Sequence, residues 1–229
     1  MATLIDLRNA ISTLLNLPGI PAVLQLNSAT RERAFEAYVF SLIVRAIRQA
    51  NGRAGIYGII SGPNPPIVVF RGGPGLLGSA AQDYVYADCR LGDKEFEIHV
   101  DVKYEGGSGA LHEIDVSLYD HESADRIRQS TSPNVFAKSN KLIGAVECKF
   151  YDSSMGTVLG RTFVGLVDDC GTLQLRMFVT NGTSQALVRY FRPKKRPNRF
   201  FHLSPLRPAE EQEFVDFVTH TLSEWAGVA

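Results

Sequence analysis

Asp115, Glu147 and Lys149 are the residues of this chain whose types and setting could do chemistry. Asp115 lies in the string His112-Glu113-Ile114-Asp115-Val116-Ser117-Leu118. Glu147 and Lys149 lie in Leu142-Ile143-Gly144-Ala145-Val146-Glu147-Cys148-Lys149-Phe150. Each string reads as a buried strand that delivers charged residues at one end. In the second, Val146, Cys148 and Phe150 share one face, and Glu147 and Lys149 share the other. An unpaired buried charge is expensive, so an acid and a lysine on an apolar strand need partners. Two carboxylates from neighbouring strands can hold a hard divalent cation, and a lysine beside them can hold or polarise a water.

An Asp near the end of one strand, followed by Glu-x-Lys on the next, resembles the PD-(D/E)XK nuclease superfamily. Ile114 stands where the motif has its proline. The resemblance implies an α/β, restriction-endonuclease-like core with a central mixed β-sheet flanked by α-helices. It implies Mg²⁺ or Mn²⁺ held by Asp115, Glu147 and the backbone carbonyl of Cys148, with Lys149 on the attacking water. In that family a helix ahead of the catalytic strands often adds a Glu. Glu36 is the position carried over, with Glu32 as second choice. The other reading is that both acids are solvated and pair with Arg33 or Arg31.

A second likeness covers residues 111–191. A helix over Thr157–Asp168, a strand over Leu173–Thr180, the turn Thr180-Asn181-Gly182-Thr183-Ser184 and a helix carrying Ala186 and Tyr190 follow in order. This order is similar to the Mrr-type branch of the superfamily, whose members restrict modified or foreign DNA in bacteria. Arg161 on the intervening helix either approaches a phosphate or pairs locally.

Other elements must position these residues. Leu4, Ile5, Leu7, Ile11, Leu14 and Leu15 have helical spacing. They predict a packing helix within residues 1–27, stopped by Pro18-Gly19. A longer helix starts at Ser28 or Thr30, buries Phe35, Val39, Leu42, Ile43, Ala46 and Ile47, and ends by Gly52. Residues 53–82 are rich in Gly and Pro and read as turns and a flexible loop around the short strand Ile67–Phe70. No phosphate-cradling or dinucleotide fingerprint is present there. Residues 83–104 read as a hairpin about Gly92-Asp93. Phe96, Ile98, Val100, Val102 and Tyr104 fall on one face, and Glu95, Glu97, His99, Asp101 and Lys103 on a solvated one. Asp101-Val102-Lys103 is therefore a rival acid-x-Lys string, ranked below Glu147 and Lys149. Ile114, Val116 and Leu118 are placed together, opposite Glu113, Asp115 and Ser117. His112 reads as a hydrogen-bonded structural histidine in preference to a ligand. Residues 120–140 read as a short helix plus loop, and Pro208–Trp225 as an amphipathic packing helix.

A basic cluster follows the core: Arg189, Arg192, Lys194, Lys195, Arg196 and Arg199, interleaved with Tyr190, Phe191, Phe200 and Phe201. These cations could neutralise phosphates and the rings could stack bases; a solvated basic loop is the other reading. Formal net charge is zero, so no global basic field points to nucleic acid. The three cysteines lie far apart, without CxxC or a Cys/His cluster. That excludes a zinc finger or a disulfide framework and fits a reducing cytoplasm. No leader and no apolar run long enough to span a membrane is read from the chain. The sequence thus predicts one nuclease-like domain over residues 1–229, with a core over 28–191 and a basic loop and C-terminal helix over 192–229. The expected activity is Mg²⁺-dependent phosphodiester hydrolysis, on DNA, in bacterial restriction or defence. The alternative is a degenerate nuclease-like fold that binds nucleic acid or a protein partner. Cutting both strands of a duplex would favour a homodimer, and a targeting or regulatory partner is compatible with the sequence.

Overall fold

Glycine, proline and strand-forming runs divide the chain into a helical start, a run of six successive strands and a second half in which helices and strands alternate. The computed structural model describes residues 1–16, 24–26, 30–132, 135–151, 156–193 and 197–228. In order these hold α1 (Leu4–Leu14), β1 (Leu24–Leu26), α2 (Arg31–Gln49), β2 (Arg53–Gly58), β3 (Gly62–Pro63), β4 (Val68–Phe70), β5 (Val85–Leu91), β6 (Lys94–Glu105) and β7 (Leu111–Asp120). There follow α3 (His121–Gln129), β8 (Ala137–Lys138), a 3-10 turn (Ser139–Lys141), β9 (Leu142–Lys149), α4 (Thr157–Cys170), β10 (Leu175–Thr180), α5 (Gln185–Phe191), β11 (Asn198–Phe200) and α6 (Pro208–Ala226). No helix among the described residues is long and apolar enough to cross a membrane.

The architecture is α/β, with a central mixed sheet ordered β11-β10-β9-β7-β6-β5-β2-β3 and β8 beside β6. From β9 through β7, β6, β5 and β2 to β3 neighbouring strands are antiparallel, while β9, β10 and β11 run parallel. The parallel pair β9–β10 is joined through α4, as a crossover requires. One apolar core lies between the sheet and α1, α2 and α6. A second lies on the opposite face, with residues of α3, α4 and α5.

The central helix, α2, starts where a hydroxyl can cap it: Thr30 accepts from the Arg33 N–H at 3.4 Å. It buries residues around most of its circumference, including Tyr38, Phe40 and Val44 beyond the single predicted stripe. Helices apolar all round are interior helices, and α1 and α6 both pack on this one. Glu211 of α6 accepts from Tyr38 Oη at 2.6 Å and from Arg45 Nη1 at 2.8 Å. The first turn of α6 is therefore a tether to α2 as well as a match to the helix dipole.

The structure corrects two sequence expectations here. Residues 53–58, read as loop, form β2, a full strand paired with β5 from Arg53↔Arg90 to Gly58↔Val85. The polar face of the hairpin, read as solvated, is buried: Glu97 and Asp101 are fully enclosed and His99 nearly so. The reason is that β6 is a central strand covered on both faces. Its buried Glu97 is matched from outside the strand by Arg128, whose Nη1 and Nη2 lie on the carboxylate at 2.7 and 2.5 Å, and within the strand by His99 Nε2 at 2.9 Å.

Candidate functional site

The site lies where two strands part. The ladder between β7 and β9 ends at Val116↔Val146. Beyond it β7 stays with β6, and β9 stays with β10 as far as Thr180↔Lys149. Asp115 and Glu147 are the first residues past the last shared pair, so the fork places both carboxylates at its mouth. The Cys148 N–H, left without a strand partner on this side, donates to Asp115 Oδ2 at 2.8 Å. Lys149 Nζ reaches back to the same Oδ2 at 3.0 Å and to Glu147 Oε1 at 2.7 Å. The Cys148 side chain turns into the first core with Val146 and Phe150, and burial pushes its thiol well above the usual range.

The strand β6 brings a further acid. Asp101 faces Asp115 between the registered pairs Val100↔Val116 and Val102↔Ile114, but the two are not themselves paired. Asp101 has φ of 53°, in the left-handed region that few non-glycine residues occupy. The side-chain alternation changes face at this point. Phe96, Ile98 and Val100 belong to the first core, whereas Val102 and Tyr104 belong to the second. In β7, Ile114 likewise joins the second core while Val116 and Leu118 join the first. The predicted common faces of these strands are thus broken where the two acids sit. Ser117 has no part in the site; its hydroxyl bonds Tyr104 Oη in the interior.

From above, α2 supplies Arg33 and Glu36. Glu36 is buried, and Arg33 Nη1 lies 3.1 Å from each of its carboxylate oxygens. The same nitrogen reaches Asp101 Oδ1 at 2.7 Å and comes within 4.0 Å of Glu113. The expected Arg33–Glu36 pairing exists, then, but inside the protein and not in solvent. Glu36, Asp101 and Asp115 each present a ligand atom within 4.8 Å of the others. That three-carboxylate group includes Asp101, which the sequence placed in solvent, and not Glu147, which Lys149 engages.

Electrostatics follow from this crowding. Burial, with Asp101 and Asp115 nearby, pushes the Glu36 carboxyl up to about 9. Burial raises Asp101 to about 7 against the opposing pull of Arg33. Burial and Asp115 raise Glu147 to about 7. Burial alone would depress Lys149, but Asp115 and Glu147 outweigh it and hold the ammonium above its usual range. Such shifted groups gathered in one cleft are a frequent mark of a functional site.

All of these residues except Asp101 line one open cavity of about 1000 Å³, together with Gly72, His112 and, from α4, Thr162, Gly165 and Leu166. The glycine-rich loop reaches the cavity because Gly75 pairs with β6 on both sides of Val102: its N–H donates to the Asp101 carbonyl and its carbonyl accepts from Lys103. His112 Nε2 is held by Asp169 Oδ2 at 2.5 Å, the structural role expected of it. Glu32 also borders the cavity, whereas Arg161 is exposed on α4 and is not among its lining residues.

Of the basic cluster, Arg189, Arg192 and Arg199 are exposed, and none borders this cavity. Arg189 and Arg192 line a smaller surface hollow with Thr183, Gln185 and Val188. Lys194, Lys195 and Arg196 lie outside the described residues. Asn181 explains the Thr-Asn turn. Its Oδ1 accepts from Tyr151 N at 2.9 Å and its Nδ2 donates to Tyr151 O at 3.1 Å. The side chain continues, two residues past Lys149, the pairing that β9 and β10 have just ended. No family model, no curated protein and no solved structure matches the chain.

Proposed function

We propose that this protein is a divalent-metal-dependent nuclease that hydrolyses phosphodiester bonds in DNA, in bacterial restriction or defence. The observation that carries the reading is the convergence on Asp115 Oδ2 of the Cys148 N–H and Lys149 Nζ, with Glu147 on the same ammonium. Four residues up to 34 positions apart in sequence meet at the mouth of a strand fork that opens into a cavity. The order of elements supports the reading: a helix carrying Glu36, antiparallel strands carrying Asp115 and Glu147, a crossover helix and a parallel strand.

The donor set suits Mg²⁺ or Mn²⁺, which prefer carboxylate, carbonyl and water oxygens. Asp115 and Glu147, with the Cys148 carbonyl, would hold the ion, and Glu36 would support a water on it. Bound there, a divalent ion lowers the pKa of a water and offsets charge on a phosphoryl oxygen. The chain supplies the rest. Lys149, cationic between two carboxylates, positions the attacking water and faces negative charge that develops on the phosphate. The Cys148 N–H fixes the rotamer of Asp115. Arg189, Arg192 and Arg199 offer the surface on which the sugar-phosphate backbone would lie.

The test is cleavage of supercoiled plasmid and of a single-stranded oligonucleotide with Mg²⁺, Mn²⁺ or EDTA. Metal-dependent cutting by the wild type, lost in Lys149→Ala and Asp115→Asn, is the expected result. Cutting that survives both substitutions would overturn the assignment. A second reading, a non-cutting module that binds nucleic acid or a protein, draws on one observation: Lys149 and Arg33 already pair with the acids of the site. Absence of cleavage with intact binding would favour it.

A further inference from the structure

We propose that the pocket at the carboxyl ends of β9, β10 and β11 holds one unpaired nucleotide of the strand that enters the cavity at Asp115, with His202 and Arg207 on its phosphate. The inference rests on the nuclease reading given above and names the form of its substrate, a single strand.

Topology is the first ground. The strands β9, β10 and β11 run parallel and end at Lys149, Thr180 and Phe200. Crevices outside the carboxyl ends of parallel strands are where open α/β sheets bind ligands. A cavity of about 410 Å³ lies there, lined by residues that follow each strand: Tyr151, then Asn181 and Thr183, then His202 and Ser204, with Arg207 ahead of α6. Its volume is at the small end of ligand pockets, about 300–1,000 Å³, so it suits one nucleotide and excludes a base pair. Continuity is the second ground. Tyr151 borders both this pocket and the cavity of Asp115, Glu147 and Lys149. Thr183 borders both this pocket and the hollow of Arg189 and Arg192. The cavity and the hollow share no lining residue with each other, so a strand that reaches both passes over the pocket between them.

The third ground is the chemistry of the lining. His202 has φ of 63°, in the left-handed region. That turn sends Leu203 into the first core, where its N–H donates to the Thr180 carbonyl at 2.9 Å, and leaves His202 at the pocket. An imidazole donates a ring N–H even when neutral. Arg207 adds a planar guanidinium, whose fork of donors matches a phosphate. Its Nη1 lies 3.0 Å from Glu210 Oε1, in a pair whose side chains are 51% and 33% exposed. Exposed ion pairs are worth little, so a phosphate recruits the guanidinium at small cost. Two other lining groups are already engaged. The Asn181 amide pairs with the Tyr151 backbone, and Ser204 Oγ accepts from the Leu206 N–H. They act as wall, and the contact with the ligand falls to His202 and Arg207.

The experiment reads binding of a fluorescein-labelled single-stranded oligothymidylate by anisotropy in EDTA, and its cleavage with Mn²⁺, for wild type, Arg207→Gln and His202→Asn. Asparagine accepts the left-handed backbone of position 202, so the turn is kept. Arg53→Gln, at an arginine 71% exposed on β2 across the sheet, controls for net charge. Each pocket variant should weaken single-strand binding by about tenfold, the loss of one charged hydrogen bond. KM should rise by the same factor while kcat and Mn²⁺ affinity hold, the mark of lost uniform binding. Binding of the same strand annealed to oligoadenylate should be unaltered, and Arg53→Gln should match wild type throughout. Unchanged single-strand binding in both pocket variants, or equal losses on single strand and duplex, would overturn the inference even if the protein cuts DNA. Single-strand binding that depends on His202 and Arg207 without any cleavage would uphold it while the nuclease reading fails. No single-strand binding by wild type would also overturn it, and with no cleavage of plasmid either, both readings fall.

Discussion

The Cys148 backbone N–H donates to the Asp115 carboxylate across the point where β7 and β9 separate. The splay that creates the site is thus closed by a charge-assisted bond, and the same oxygen of Asp115 is shared with Lys149. Strand geometry and site chemistry are one arrangement here. A change in Lys149 should therefore be felt in both.

Lys149→Met tests that coupling. The substitution keeps length and removes the ammonium, leaving Asp115 and Glu147 facing each other. Removing one member of a buried ion pair costs roughly 3–5 kcal/mol. Lys149 is 21% exposed, and solvent screening reduces the expected loss to about 2 kcal/mol. Urea denaturation without metal reads the loss. Mn²⁺ should restore part of it, while cleavage falls by at least about a hundredfold, the scale of losing one transition-state charge partner.

The crowded acids set a pH dependence of stability. A carboxyl whose pKa is raised by folding binds extra protons in the folded state. Its folded form is therefore favoured at low pH and loses ground as pH climbs from the unfolded to the folded value. For Glu36 that window runs from 4.5 to about 9, and for Glu147 from 4.5 to about 7. Metal-free protein should melt at a lower temperature at pH 8.5 than at pH 6. Glu36→Gln, a mimic of the protonated acid, should flatten that slope, and saturating Mg²⁺ should do the same in the wild type. Melting curves across this range, with and without EDTA, are the measurement. A stability that rises from pH 6 to 8.5 without metal would contradict the assignment.

How far the site could be read from residues depends on strand regularity. Glu147 and Lys149 were legible because they interrupt an apolar run at the end of β9, where a charge must have a reason; Asp115, expected near a strand end, lies in the middle of β7, at the point where the pairing with β9 stops. Asp101 was not, because alternation assumes one unbroken pleat. Its φ of 53° breaks that pleat and sends Val102 and Tyr104 to the opposite core. Burial of Glu97 and His99 was hidden for a related reason. Parity separates the two faces of a strand but cannot tell that both are covered, which depends on distant α3 bringing Arg128. The strand β2 was masked by its glycines. At Gly58 a side chain would collide with the Asp83 carboxylate, which accepts from the Ile60 and Ser61 N–H groups in the following turn. That glycine marks a close approach, not a loop. The helices were legible almost to their caps, since their periodicity extends over many residues.

The exposed arginines make a prediction separable from the site. If Arg189, Arg192 and Arg199 contact phosphates, each substitution by Ala should weaken binding to DNA of any sequence. Each should also lower the log–log salt slope by about one. Fluorescence anisotropy over a salt series measures both. Mn²⁺ binding should be unchanged, because none of the three borders the cavity that holds Asp115. An unaltered slope in the triple variant would return this surface to plain solvation.

Asn181 gives the sharpest distinction between holding the site and forming it. Its side-chain amide pairs with both backbone groups of Tyr151, and its own N–H lies 3.4 Å from the Lys149 carbonyl. It touches none of the site's carboxylates, so it acts as a positioning residue. Asn181→Ala removes two hydrogen bonds, each worth about 1 kcal/mol, and frees the segment that follows Lys149. The expected outcome is a loss of 1–2 kcal/mol in urea midpoint analysis and a fall in kcat of about tenfold, the scale of a small misplacement. KM and Mn²⁺ affinity should hold. Asn181→Asp keeps the acceptor for Tyr151 N–H and loses the donor, so it should fall between wild type and Ala. If kcat is untouched while stability drops, Asn181 only closes the sheet, and the register of Lys149 is fixed by β10 alone.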